Sequence, residues 1–135
     1  NMTDCKPVST PMAKGQTDTD SEKLNYTSAH VYRSMIGSLM YLMVCTRPDI
    51  GYAVIFLSKY MSEPKQQHFV AAKRVLRYLK GTKLMALQYS GDEFSGGTDA
   101  PLIGYSGADW AGDKSTRRST SGYVFFWNGS AIYAA

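Results

Sequence analysis

Apolar residues recur along this chain in two rhythms, and the change falls near residue 81. Val31, Met35, Leu39 and Leu42 or Met43 are spaced by three and four, which predicts a helix with one buried face, opened by Thr27 or Ser28 as N-cap. Gly37 and Ser38 interrupt its large residues, so another backbone can approach there. Thr46-Arg47-Pro48-Asp49 reads as a restart, with Thr46 capping, Pro48 in the first turn and Asp49 reaching back. Ile50, Ala53, Val54, Leu57 and Met61 then keep the helical period until Ser62-Glu63-Pro64, which caps a third helix. That helix is predicted to run to about Lys80 with Gly81 just beyond it, its stripe being Phe69, Ala72, Leu76 and Leu79.

Beyond Gly81 the period drops to two. Residues 84–89 read as a short strand and residues 90–101, with three glycines, as a loop. Strands are predicted at 102–106, 119–127 and 131–133, the last two joined by Asn128-Gly129, a strong two-residue hairpin signal. Residues 1–26 mix Thr, Ser, Asp, Lys, Pro and Gly without a period. They are expected to be a tail that adds nothing to a core.

Composition narrows the classes. The chain has 135 residues, 44% of them hydrophobic, enough for one modest core. The longest nearly unbroken apolar run, 39–45, is far below the roughly 20 residues of a membrane span, and no leader is read at Asn1. An intracellular protein without a membrane partner is expected. Cys5 and Cys45 lie apart without metal-ligand spacing, so reduced thiols are the default.

Charge changes the picture more. Lys65, Lys73, Arg74, Arg77, Lys80 and Lys83 fall between Pro64 and Gly91 with no acidic residue among them. Lys73, Arg77 and Lys80 share one helix side beside the apolar stripe, with Arg74 flanking them and Lys83 following. A helix laid along a phosphate backbone needs that arrangement, and a solvated helix face shares it. Tyr78 offers a ring for base stacking, a buried tyrosine being the plainer reading. Asp109 and Asp113 are the only carboxylates near the strands that invite metal chemistry. A two-metal site needs several carboxylates converging from different elements, so turn formation is the expected role of this pair. His30 and His68 lack partners at triad spacing and are read as structural.

Five phrases, in order, carry a resemblance: residues 4–12 (DCKPVSTPM), 32–42 (YRSMIGSLMYL), 46–50 (TRPDI), 71–82 (AAKRVLRYLKGT) and 117–123 (RRSTSGY). Together they resemble the Ty1/copia class of retrotransposon Pol polyproteins, in the region joining reverse transcriptase to ribonuclease H. The resemblance implies an α+β chain: a three-helix, thumb-like connection followed by an incomplete antiparallel ribonuclease H-like sheet. Its implied divisions are a tail or linker at 1–28, the helical segment at 29–83, a strand and loop linker at 84–100, and truncated nuclease strands at 101–135. The segment from Tyr105 to Gly122 is similar to the start of the nuclease, where an aspartate after Tyr-Ser helps hold metal. Gly107 stands at that position here, with Asp109 a weak substitute.

By the same resemblance, the polymerase carboxylates lie upstream and the remaining nuclease carboxylates beyond Ala135. The expectation is therefore a catalytically inactive fragment without a cofactor, in contrast to the Mg or Mn ions of the intact family enzyme. Its implied partners are an RNA/DNA duplex, on Lys73, Arg74, Arg77, Lys80 and Lys83, and other copies of itself through exposed strand edges. Arg74-Val75-Leu76-Arg77 also matches the R-x-L-R pattern of secreted oomycete effectors. That motif is expected in a flexible region after a signal peptide, and here it falls inside an amphipathic helix.

Overall fold

The computed structural model describes residues 2–13, 21–89, 102–113 and 116–134. They fall into two compact units, Asn1–Met85 and Ala86–Ala135. The loop expected at 90–101 lies outside the described residues.

The first unit is helical. α1 spans Tyr26–Cys45, and its N-cap is Asn25, whose side-chain oxygen accepts the Ser28 amide at 2.8 Å. The N-cap thus lies two or three residues before the predicted Thr27 or Ser28. Its buried residues are Ala29, Tyr32, Ile36 and Leu39, whereas Val31 and Leu42 are exposed. α1 is apolar around much of its circumference, so the period alone does not fix which side faces inward. Tyr32 decides it: the ring is fully buried, and the hydroxyl donates to the Leu57 carbonyl at 2.7 Å. Burial raises the Tyr32 pKa well above the usual tyrosine range.

α1 ends where the Thr46 and Arg47 amides both donate to the Leu42 carbonyl. A single 3-10 turn, Pro48–Ile50, leads into α2, Gly51–Ser58, which buries Ala53, Val54 and Leu57. The predicted apolar residues of this helix are the ones that face inward, with Ile50 fully buried and Met61 packed at the edge. The caps differ from expectation. Thr46 is the C-cap of α1 and Asp49 turns away from the helix start, because Arg47 and Tyr78 hold its carboxylate.

α3, Gln66–Gly81, contributes His68, Ala71, Ala72, Val75 and Tyr78 to the core, with Phe69, Leu76 and Leu79 partly buried beside them. Its start is closed by His68, whose Nδ1 accepts the Lys65 amide at 3.1 Å while the ring stacks on Tyr60 with centroids 3.8 Å apart. Gly81 is the last helical residue and Thr82 the C-cap.

The segment before α1 corrects the expectation of an uninvolved tail. Val8, Met12 and Leu24 pack against the helical core. Leu24 donates to the Pro64 carbonyl at 3.0 Å and Gln66 to the Glu22 carbonyl at 2.9 Å, while Lys23 forms an ion pair with Glu63. Prolines at 7 and 11 and the polar residues around them hide this role, since Val8 and Met12 stand alone four positions apart and no longer period exists to read.

The second unit contains a three-stranded antiparallel sheet of order β1-β2-β3, with β1 Ile103–Ala108, β2 Ser121–Trp127 and β3 Ser130–Ala134. Ile103 pairs with Phe126 and Ala108 with Ser121; a bulge between Phe125 and Phe126 interrupts the β2–β3 register. Asn128 and Gly129 join β2 to β3 with φ of 48° and 78°, the left-handed pair that a tight hairpin requires. Gly104 admits the Phe125 ring across the sheet, for a Cβ there would lie 2.8 Å from it. The predicted strand at 84–89 does not form: these residues adopt no regular element. Alternation without a neighbouring strand leaves the ladder hydrogen bonds unmade, and Tyr89 instead donates its hydroxyl to the Ala131 carbonyl at 2.9 Å.

Candidate nucleic-acid interface

The basic residues of α3 are half-buried, with the exception of Lys83, which lies past the helix and is exposed. What covers them is the chain's own beginning. Arg74 donates to the Thr10 hydroxyl at 2.9 Å, Arg77 to the Lys6 carbonyl at 2.7 Å, and Lys80 to the Thr3 and Cys5 carbonyls at 2.6 and 2.9 Å. Three cations at three-residue intervals along one helix therefore hold oxygens of a strap formed by residues 3–10. Lys73 lies over the Phe69 ring, its Nζ 4.4 Å from the centroid, a cation–π contact. A groove of about 400 Å³ between strap and helix is lined by Met2, Thr3, Cys5, Leu76, Leu79, Lys80 and Lys83.

Tyr78 is buried and is not a free stacking platform. Its hydroxyl donates to Asp49 at 2.7 Å. Arg47 binds both oxygens of the same carboxylate, at 2.9 and 2.8 Å, and also reaches the Thr82 carbonyl and hydroxyl at 3.2 and 2.6 Å. The guanidinium rests above the Tyr78 ring, 5.6 Å from its centroid. This clasp ties the turn after α1 to the end of α3. The Arg47 hydrogen bond, aided by that of Tyr78, holds the Asp49 carboxyl below the usual carboxylate range, and the Asp49 contact raises Tyr78.

The carboxylates of the sheet are spent on a turn. Asp109 Oδ1 accepts the Thr120 amide at 2.6 Å and the Gly112 amide at 3.4 Å; Asp113 accepts the Thr116 amide at 3.1 Å. Gly107 lies in β1, opposite Gly122, with open space where a Cβ would stand. It supplies no donor, and the two aspartates face their own backbone amides, so these residues do not fit a two-metal centre. Among the described residues, no three His, Cys, Asp or Glu side chains are grouped to hold a metal ion. Nor is any described helix long and apolar enough to cross a membrane.

The R-x-L-R residues sit in mid-helix: Val75 is fully buried, and the two arginines hold the strap. Sequence periodicity gave no sign of the strap itself. The one available signal was a run of cations with no acidic partner nearby, and a solvated helix face shares that pattern.

No protein-family profile and no solved structure matches the chain. Curated sequences do. A retrovirus-related Pol polyprotein from transposon TNT 1-94 of Nicotiana tabacum is 44% identical over 98% of this chain, which spans 10% of that protein. A Pol polyprotein from transposon RE1 of Arabidopsis thaliana is 44% identical over 93% of the chain, here 8% of its length. A protein of Plasmopara viticola named secreted RxLR effector protein 161 is 52% identical over 75% of the chain and is covered over 68% of its own length. The same stretch thus occurs within long polyproteins and as most of a short one. The chain thus shares family-level similarity with retrotransposon Pol proteins.

Proposed function

We propose that this chain is a non-catalytic piece of a copia-type Pol polyprotein, corresponding to the junction of reverse transcriptase and ribonuclease H. The observation that carries this reading is the state of the carboxylates: Gly107 offers no side-chain ligand, while Asp109 and Asp113 accept amide hydrogens of their own turn. In this reading residues 29–83 are the connection, residues 101–135 the opening strands of the nuclease, and β1–β3 the ribonuclease H-like sheet. Calorimetric titration with Mg or Mn ions tests it. No saturable binding is expected, and a stoichiometric site involving Asp109 would overturn the assignment.

A second reading, that α3 contacts nucleic acid, is favoured by the row of Arg74, Arg77 and Lys80 already donating to oxygens of the strap. Lys73 and Lys83 complete the proposed contact surface. Affinity for an RNA/DNA hybrid should then fall steeply with salt, and Lys73→Glu with Arg77→Glu should flatten that slope by about two. A salt-independent affinity, or one untouched by both substitutions, would remove this reading. The exposed edges of β1 and β3 support self-association as a further proposal. The effector name belongs to the Plasmopara protein; with Val75 in the core of α3, the R-x-L-R residues here are explained by helix packing and the strap.

A further inference from the structure

We propose that residues 3–10 are an intramolecular competitor for the basic face of α3, and that a nucleic-acid backbone binds there by displacing them. The inference rests on the second reading above and adds a gate to it. Its first support is geometric: each of Arg74, Arg77 and Lys80 donates to a strap oxygen, so the same donors cannot meet phosphates while the strap is seated.

The second support is electrostatic. Within residues 2–13 Asp4 is offset by Lys6, so the strap brings no net charge to a face that carries several cations. Its acceptors are neutral carbonyls and one hydroxyl, whereas phosphate oxygens are anionic and form the stronger charge-assisted bonds. The strap also leaves the face incompletely satisfied, since the buried Nε of Arg74 has no acceptor. A neutral strap on a cationic face is therefore a ligand that an anionic backbone can replace.

The third support is that the strap is seated by close approach at one point. A Cβ on Gly81 would lie 2.9 Å from the Cβ of Pro7. Gly81 has helical geometry and no positive φ, so Gly81→Leu is compatible with α3 while denying Pro7 its place. The substitution leaves every basic residue intact.

The test uses the full chain and a fluorescent RNA/DNA hybrid at low salt. Gly81→Leu should bind about tenfold more tightly than the unmodified chain, a loss of competition by the seated strap. Cys5 gives an independent readout, because it is half-covered within the strap while Cys45 is exposed. In a Cys45→Ser background, thiol labelling of Cys5 should accelerate when hybrid is added, and should already be fast with Gly81→Leu. Hybrid binding of equal strength in both proteins, with Cys5 labelling unchanged by hybrid, would overturn the gate and leave the nucleic-acid reading standing. Absence of binding in both would remove the two together.

Discussion

Arg47 shows how a short sequence phrase is explained by contacts far along the chain. Its side chain is 11% exposed and that of its partner Asp49 33%, so the pair is neither a solvated surface bridge nor a fully desolvated one. Three further groups, the Tyr78 hydroxyl and the carbonyl and hydroxyl of Thr82, complete the clasp. Asp49→Asn should cost about 1–2 kcal/mol at neutral pH, allowing for solvent screening. The sign with pH follows from the depressed Asp49 pKa. Its contribution is present above the unfolded-state value of about 3.9 and is lost as pH falls through the lower folded value. Urea unfolding from pH 7 to pH 3 should show the wild type and Asp49→Asn converging at the acid end; a constant gap would contradict the role given to this carboxylate.

At the scale of elements, the sheet and the helices place different demands on sequence. The β2–β3 hairpin was legible because Asn128-Gly129 supplies two left-handed residues where a tight turn needs them. Gly129→Ala should weaken it by about 1 kcal/mol, seen as faster hydrogen exchange of the β2 and β3 amides; unchanged protection would show that the turn does not hold the hairpin. All three helices were legible from their apolar period, and the inward residues of α2 were identified in advance. The face of α1 was legible in part: Leu39 is buried and Met35 and Met43 pack against the core, whereas Val31 is exposed and its neighbour Tyr32, bonded to Leu57 25 positions away, takes the inward place. The strap was invisible for a related reason. Its partners Arg74, Arg77 and Lys80 lie more than 60 residues later, and carbonyl acceptors leave no mark in side-chain sequence. Lys73, Arg74, Arg77 and Lys80 lie on α3 and Lys83 just past it, but what occupies them could only come from the fold.

On the scale of the whole molecule, the residues that carry the family resemblance are largely those that join its segments. Residues 4–12 meet 71–82 through the strap; Tyr32 and Arg33 of 32–42 reach the carbonyls of Leu57 and Met61; 46–50 meet 71–82 through the clasp. Contacts within the fold thereby account for these four phrases. In the proposed reading Gly107 takes the place of a nuclease's first metal-binding aspartate, and the nearby Asp109 and Asp113 serve a turn. Gly107 has open space for a side chain, so Gly107→Asp should fold and supply one carboxylate without creating a metal centre. The most direct measurement is therefore cleavage of a labelled RNA/DNA hybrid, with Mg or Mn ions, by the wild-type chain and by Gly107→Asp. Neither should cut above a buffer control; metal-dependent cleavage by either would contradict the account.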